Sequence, residues 1–308
     1  MPITIPLTLS SEMPTVVQVT TSSEQRECVV VTGASTGIGA ASARELARRG
    51  FHVLAGVRRD CDADALRAPG IEPVILDITQ PDHIAELATR VGSQAGALRA
   101  LVNNAAISVN APVEALPLEE WRRLFEVNLF GHVAVTQALL PALLRHCGRV
   151  VNISSVGGKI AMATYGPYAG TKFALEAVSD ALRRELTPLG VQVVVIEPGG
   201  IRTEMADRGI ATTSRLAEAM SPQQRDRYGP LVQAVTAQTA AFTTSGRSAD
   251  DAARVIAKAV TAGKPRTRYT IGRDAALLTR LSRVLPDRML DRILAAGLRP
   301  YYPKTTTA

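Results

Sequence analysis

The stretch "CVVVTGASTGIGAASARELARRG", residues 28–50, decides the fold. It opens with four apolar residues, three of them valine, which suits a strand covered on both faces. Ala40, Ala43, Leu46 and Ala47 then recur at three-and-four spacing, so a helix is expected, ended by Gly50. Between the two stand Gly33, Gly37 and Gly39. Glycines there let the backbone approach a phosphate, and a helix N-terminus supplies free N–H groups and a positive dipole. Ser35, Thr36 and Ile38 complete this candidate phosphate loop. Its spacing departs from the Gly-x-Gly-x-x-Gly fingerprint, and a glycine turn alone could equally serve tight packing.

Outward from this unit the alternation continues. "FHVLAGV" (51–57), "IEPVILD" (71–77), "ALRALVNN" (97–104), "GRVVNIS" (148–154), "VQVVVIEP" (191–198) and "RTRYTIG" (266–272) are the further strands. Helices are expected through "PDHIAELATRV", from Leu118 to Arg145, from about Tyr168 to Leu186, and near "ADDAARVIAKAV". The pattern predicts a doubly wound α/β (Rossmann) fold with a parallel sheet of about seven strands, one domain over residues 27–272. Residues 204–247 are polar and alanine-rich, and are expected to be an irregular lid on the substrate side. Residues 1–26, broken by Pro2, Pro6 and Pro14 and lacking a basic n-region, read as a flexible arm and not a signal peptide. Residues 273–308 place leucines at helical spacing with Pro286 dividing two short helices. That apolar face is expected to pack beside the substrate mouth. An anionic membrane surface or a neighbouring subunit could cover it instead.

Composition narrows the function classes. The chain of 308 residues is 46% apolar and 20% charged, as in an ordinary soluble enzyme. Its net charge of +7 is matched by residues 263–308 alone, which hold ten Lys or Arg against three Asp. Arginine there alternates with leucine and lacks interleaved aromatics, so nucleic acid is not an expected partner. Cys28, Cys61 and Cys147 are far apart without a CxxC pair, and the four histidines lack ligand spacing. No metal is expected, and reduced thiols suggest a cytoplasmic protein. No uninterrupted apolar run approaches the ~18 residues of a membrane span.

"TYGPYAGTK", residues 164–172, supplies a candidate catalytic pair. Tyr168 and Lys172 are four apart on an expected helix and share a face, whereas Tyr165 has no such partner. A phenol titrates near 10, and a nearby ammonium favours its phenolate, so Tyr168 is the expected proton carrier.

TGxxxGxG at 32–39, "NNAA" at 103–106, "VNISS" at 151–155, YxxxK at 168–172 and "PGGIRT" at 198–203 together resemble the short-chain dehydrogenase/reductase family, over about residues 28–271. Ala106 stands where the family more often has glycine. The resemblance implies hydride transfer between a nicotinamide cofactor and a secondary alcohol or ketone. Tyr168 would exchange the proton, and Lys172 would hold the nicotinamide ribose and lower the phenol's pKa. Ser155 would hydrogen-bond the substrate oxygen, and Asn128 would anchor a proton-relay water. Asp77 matches the family position beside adenine, and Ile78, Asn104, Ala105, Pro198, Gly199, Ile201 and Thr203 would line the cofactor. At the end of the second strand Arg58 and Arg59 follow Val57, where a carboxylate would bind a ribose 2′-hydroxyl. NADP(H) is therefore favoured, with NAD(H) possible if Asp60 faces the ribose. The C-terminal extension is similar to steroid- and retinol-type members, which suggests a lipophilic substrate; a homo-oligomer is also expected. The alternatives are a catalytically silent NADP-sensing binding protein and an acyl-carrier-type ketoacyl reductase.

Overall fold

A computed structural model of the chain describes residues 26–94 and 96–303. The expected N-terminal arm lies outside the described residues except for Arg26. Seven strands form one parallel sheet: β1 Cys28–Val31, β2 His52–Val57, β3 Ile71–Ile75, β4 Leu98–Asn103, β5 Arg149–Ile153, β6 Gln192–Pro198 and β7 Arg268–Ile271. Their order is β3-β2-β1-β4-β5-β6-β7. The order reverses between β1 and β4, so the segments leaving these two strands part to opposite sides and open a crevice at the strands' C-terminal ends.

Alternate residues of each strand feed two cores. Val29 and Val31 of β1 face helix α1 (Gly37–Arg48), through Ala43 and Leu46, and helix α9 (Ala249–Thr261), through Ile256 and Val260. Val30, Leu54 and Leu101 face the other way, onto Leu87 of α3 (Pro81–Gly92) and Val135, Leu139 and Leu143 of α5 (Gly131–Arg145). Each such side chain contributes about 1.5–3 kcal/mol by leaving water. The sheet is thus covered on both faces, which is why its strands show continuous apolar runs.

Helix α4 (Leu118–Phe125) runs into α5 through a π-helical turn, Glu126–Phe130. The combined 28 residues are long and apolar enough to cross a membrane, yet half of the most apolar window is buried in the protein. Among the described residues this stretch serves as a core helix. A short helix, α2 (Asp60–Leu66), was not foreseen in the sequence; Asp60 and Asp62 in its first turn favour it through the helix dipole.

The region 204–247 departs from the irregular lid expected of it. It forms two helices, α7 (Glu204–Glu218) and α8 (Pro222–Thr244). The start of α8 is a capping box: Ser221 Oγ accepts from Gln224 N at 3.2 Å, and Gln224 Oε1 accepts from Ser221 N at 3.0 Å. The two ends of this lid meet in a narrow neck. Arg247 N donates to Gly200 O at 2.9 Å, and Arg202 N donates to Arg247 O at 3.0 Å. A Cβ on Gly246 would come within 2.6 Å of Gly200 C, so the neck closes only with glycine there.

Helix α6 (Gly166–Leu186) packs against β6, and two further helices, α10 (Arg273–Val284) and α11 (Asp287–Leu298), form the C-terminal extension. Pro286 divides them. Leu298 is buried with Ala234 and Val235 of α8, and Gln238 Nε2 donates to Gly297 O at 3.0 Å. At the other end, a Cβ on Gly199 would lie 2.7 Å from Ala275 Cβ, so α10 sits directly on the loop after β6. The extension therefore braces the lid from outside, while Leu277, Val284, Met289 and Ile293 remain exposed.

Candidate active site

A cleft of about 510 Å³ opens at the C-terminal ends of β1 and β4. The glycine loop forms its floor. Gly33 and Gly37 adopt φ of 64° and 54°, which glycine allows without strain. A Cβ on Gly33 would stand 2.6 Å from Ala105 Cα, so the loop lies against the segment after β4. Asn104 locks the two together: its Nδ2 donates to Thr32 O at 2.9 Å and to Gly33 O at 3.0 Å. Thr32 Oγ1 in turn accepts from the backbone N–H groups of Asn104 and Ala105 at 2.9 and 3.0 Å. Thr36 precedes α1 without a side-chain cap, and no acidic residue stands in its first turn. The first N–H groups of α1 are thus left to an anion in the cleft, which Ser35, Ile38 and Gly39 also line.

Beyond β2 and β3 the cleft is lined by Arg58, Asp77 and Ile78. Asp77 Oδ1 accepts from Thr79 N at 3.0 Å and Thr79 Oγ1 at 2.8 Å, which fixes the carboxylate at the rim. Arg59 is not brought to the cleft. It stands at the start of α2 and forms a two-pronged pair with Asp62, at 2.7 and 2.8 Å. Two adjacent residues leaving an extended strand point apart, so only one of the arginines can face the cleft.

At the opposite end, α6 presents Tyr168 and Lys172 one turn apart; they are 8% and 1% exposed, and both line the cleft. Ser155, beyond β5, lines it as well; its Oγ accepts from Gly157 N at 3.0 Å, leaving the hydroxyl hydrogen free to donate. Lys172 Nζ donates to Ile153 O at 2.8 Å and sits 5.8 Å from the centre of the Tyr168 ring. The expected lowering of the phenol by the ammonium does not prevail. Burial pushes Tyr168 up to about 12, against a smaller lowering by its hydrogen bond with Ser155. Burial also pulls Lys172 down to about 8, opposed by the charge of Glu176. Desolvation is the dominant cause at both groups.

Asn128 is set back from the cleft. Buried in the π-helical turn, its Nδ2 donates to Ile107 O at 2.9 Å and Thr171 Oγ1 at 3.2 Å, and its Oδ1 accepts from Ile107 N at 2.9 Å. Both amide hydrogens and one of the two acceptor sites of Oδ1 tie the segment after β4 to α6, so Asn128 positions these two parts of the cleft wall. Behind Lys172 lies a charge network absent from the sequence reading. Glu176 pairs with Lys159 at 2.6 Å and Arg268 at 3.0 Å, and Arg268 reaches Glu197 at 3.4 Å. Glu176 and Glu197 are buried, and the facing cations offset the cost of burying them.

The remaining wall comes from the lid and from loops. Pro198, Gly199, Ile201 and Thr203 line the passage from β6 into α7. Met162, Met205, Ile210, Val235 and Phe242 add an apolar lining, and Ser108 and Asn110 add polar points. Tyr165 closes this side: its hydroxyl is 2.8 Å from Thr239 Oγ1 on α8. Thr164, just before it, holds φ of 64°, unusual for a β-branched residue, and its carbonyl accepts from Ala111 N at 2.9 Å. Sequence reading missed these lid residues individually, because their recognition depends on where α7 and α8 lie. The alternation of Met, Ile and Phe with small polar residues was their only visible signal.

The arrangement can hold an anionic, elongated ligand along the floor and a second, apolar molecule under the lid, with a hydroxyl donor pair and a buried amine where the two meet. Three comparisons agree with it. The family model for short chain dehydrogenases matches residues 27–213. The dehydrogenase/reductase SDR family member 9 of Bos taurus is 35% identical over 85% of this chain and 86% of its own, and retinol dehydrogenase 5 of Mus musculus is 36% identical over 86% and 87%. Among solved structures, a short chain dehydrogenase from Burkholderia cenocepacia in complex with NADP superposes with a TM-score of 0.67, at 26% identity, covering 91% of this chain and 99% of that one. With the sheet order, the glycine loop and the Tyr168–Lys172 pair in place, these matches make the chain a member of the short-chain dehydrogenase/reductase family.

Proposed function

We propose that the protein is an NADP(H)-preferring oxidoreductase that interconverts a secondary alcohol and a ketone on a lipophilic molecule. The observation that carries this reading is the burial of Tyr168 and Lys172 on the same cleft as the uncapped N-terminus of α1. The residues present fit the cofactor class. The glycine loop and the free N–H groups of α1 suit a pyrophosphate, Arg58 suits a 2′-phosphate, and Lys172 suits a ribose hydroxyl. A bound nicotinamide supplies or accepts the hydride.

The chain's own residues manage the proton. With its phenol pushed up to about 12, Tyr168 is protonated throughout the neutral range and is a donor to a carbonyl oxygen in the direction of reduction. Ser155, oriented by Gly157 N, donates a hydrogen bond to the same oxygen and stabilises the charge that gathers there. Lys172, held by Ile153 O, adds a positive charge below about pH 8. The lid shields this exchange from water. Its apolar lining, together with the retinol dehydrogenase relative, supports a lipophilic substrate, and the NADP-bound neighbour supports the cofactor preference.

The test is turnover of a ketone panel with NADPH and NADH, in the wild type and in Arg58→Ala. NADPH should be oxidised in preference to NADH, and the variant should lose about tenfold in NADPH affinity with little change for NADH. Equal changes for the two cofactors would remove the preference from this reading. Binding of NADPH without turnover of any ketone or alcohol would favour the silent sensor.

A further inference from the structure

Arg208 lies on α7, in the lid, yet its nearest side-chain partner is in the cofactor floor. Its Nη2 donates to Thr36 Oγ1 at 3.3 Å, across the mouth of the cleft. Arg58 lines the same cleft from the sheet side. Neither arginine has an ion-pair partner among the described residues, whereas Arg59 is matched by Asp62 at 2.7 Å. Both free cations line the one cleft, Arg58 just beyond β2 and Arg208 at Thr36. The Asp62 carboxyl is held below its usual range first by hydrogen bonding from Arg59, and additionally by the charges of Arg59, Arg58 and Arg208. The contact with Thr36 sets Arg208 beside the glycine loop at the start of α1, the phosphate-binding side of the crevice.

Thr213 Oγ1 anchors the second half of α7 by donating to Asn110 O at 3.0 Å, but a 3.3 Å contact between an exposed guanidinium and a neutral hydroxyl cannot by itself hold the first half in place. A phosphate dianion between the two arginines can, since charge-assisted, forked contacts are about twice as strong as neutral ones. Glu204 sharpens the need for it. Its Oε2 lies 3.6 Å from where a Cβ on Gly37 would stand, so an incoming phosphate meets a carboxylate of the lid, and Arg208, one turn further along α7, supplies the opposing charge.

We propose that Arg208 and Arg58 grip the 2′-phosphate of NADP(H) from opposite sides, so that this phosphate draws α7 onto the glycine loop and closes the substrate side of the cleft. The inference rests on the NADP(H) preference proposed above and adds a consequence to it: the cofactor's phosphate acts as the latch of the substrate lid.

The experiment measures NADPH and NADH dissociation constants for the wild type, Arg208→Ala, Arg208→Lys and Arg58→Ala, with amide hydrogen exchange over residues 204–218 in each complex. In the wild type α7 should exchange more slowly with NADPH than with NADH. Arg208→Ala should abolish that difference and weaken NADPH about tenfold, leaving NADH within about twofold. Arg208→Lys should restore part of both. Equal weakening of the two cofactors by Arg208→Ala would mean a pyrophosphate contact and would overturn the proposal, as would an unchanged exchange difference. If Arg58→Ala shifts the preference and Arg208→Ala does not, the NADP(H) reading stands and the latch falls. If neither shifts it, both fall.

Discussion

The two walls of the cleft are built differently. The sheet-side wall is deeply buried: Lys172 and Tyr168 have almost no exposure, Asn128 makes three side-chain hydrogen bonds to its surroundings, and Asn104 bridges two strand ends. The lid-side wall is helical and half-exposed, with Arg208 and Glu204 open to solvent and its outside face supported by the C-terminal extension. The first wall fixes reacting groups to a geometry; the second adapts to what it covers. The chemistry proposed for Tyr168 and Lys172 thus sits on the more deeply buried wall, and the recognition proposed for the lid on the more exposed one.

That contrast can be broken most sharply at Tyr168. Tyr168→Phe should cut turnover by about a hundred- to ten-thousand-fold, because it removes the acid, while NADPH binding measured by titration stays within about twofold. A comparable loss of cofactor affinity would show that the sheet-side wall does not separate chemistry from binding.

The lid-side wall should respond in the opposite sense. Leu298→Ala removes the anchor of the extension on α8 and should destabilise the protein by about 2 kcal/mol, with substrate KM raised and kcat little changed. Thermal unfolding together with steady-state kinetics checks this. A fall in kcat at constant KM would place the extension in the chemistry.

The smallest effect concerns the network behind Lys172. Its ammonium is intact below about pH 8 and lost above it, so ketone reduction should decline as pH rises through that value. Glu176→Gln removes a negative charge that favours the ammonium, so the decline should move to lower pH, by up to about one pH unit. Asp180→Asn, which also touches Arg268 but does not act on Lys172, is the control and should leave the profile in place. Profiles that shift alike in both variants would reduce the network to a structural strut.

The sheet-side wall was legible in the sequence because its signals are local. Three valines, a glycine turn and a helix are read within one stretch, and Tyr168 and Lys172 meet through helical periodicity alone. Arg59 shows the limit of that locality: its neighbour Arg58 has the same chemistry, and only the start of α2 at Asp60 decides which faces the cleft. The phenol of Tyr168 marks a second limit, since its burial depends on tertiary packing, with Gly157 against its ring, that no local pattern shows. Helix α8 is hidden in the sequence because its polar and apolar residues are mixed around the axis, with Gly229 and Pro230 inside it; its local signal is the capping pair of Ser221 with Gln224 three residues on. Arg208 could not be found without knowing how α7 crosses the floor.

The neck formed by Gly200, Arg202 and Arg247 gives the lid the topology of a cassette. Both ends enter and leave at one point, so insertions, deletions or wholesale exchange between residues 204 and 245 leave the sheet register undisturbed. A lineage can therefore change what it acts on by rewriting one contiguous segment, and an engineer can transplant that segment provided the glycine pair at its base and the surface that receives Leu298 travel with it.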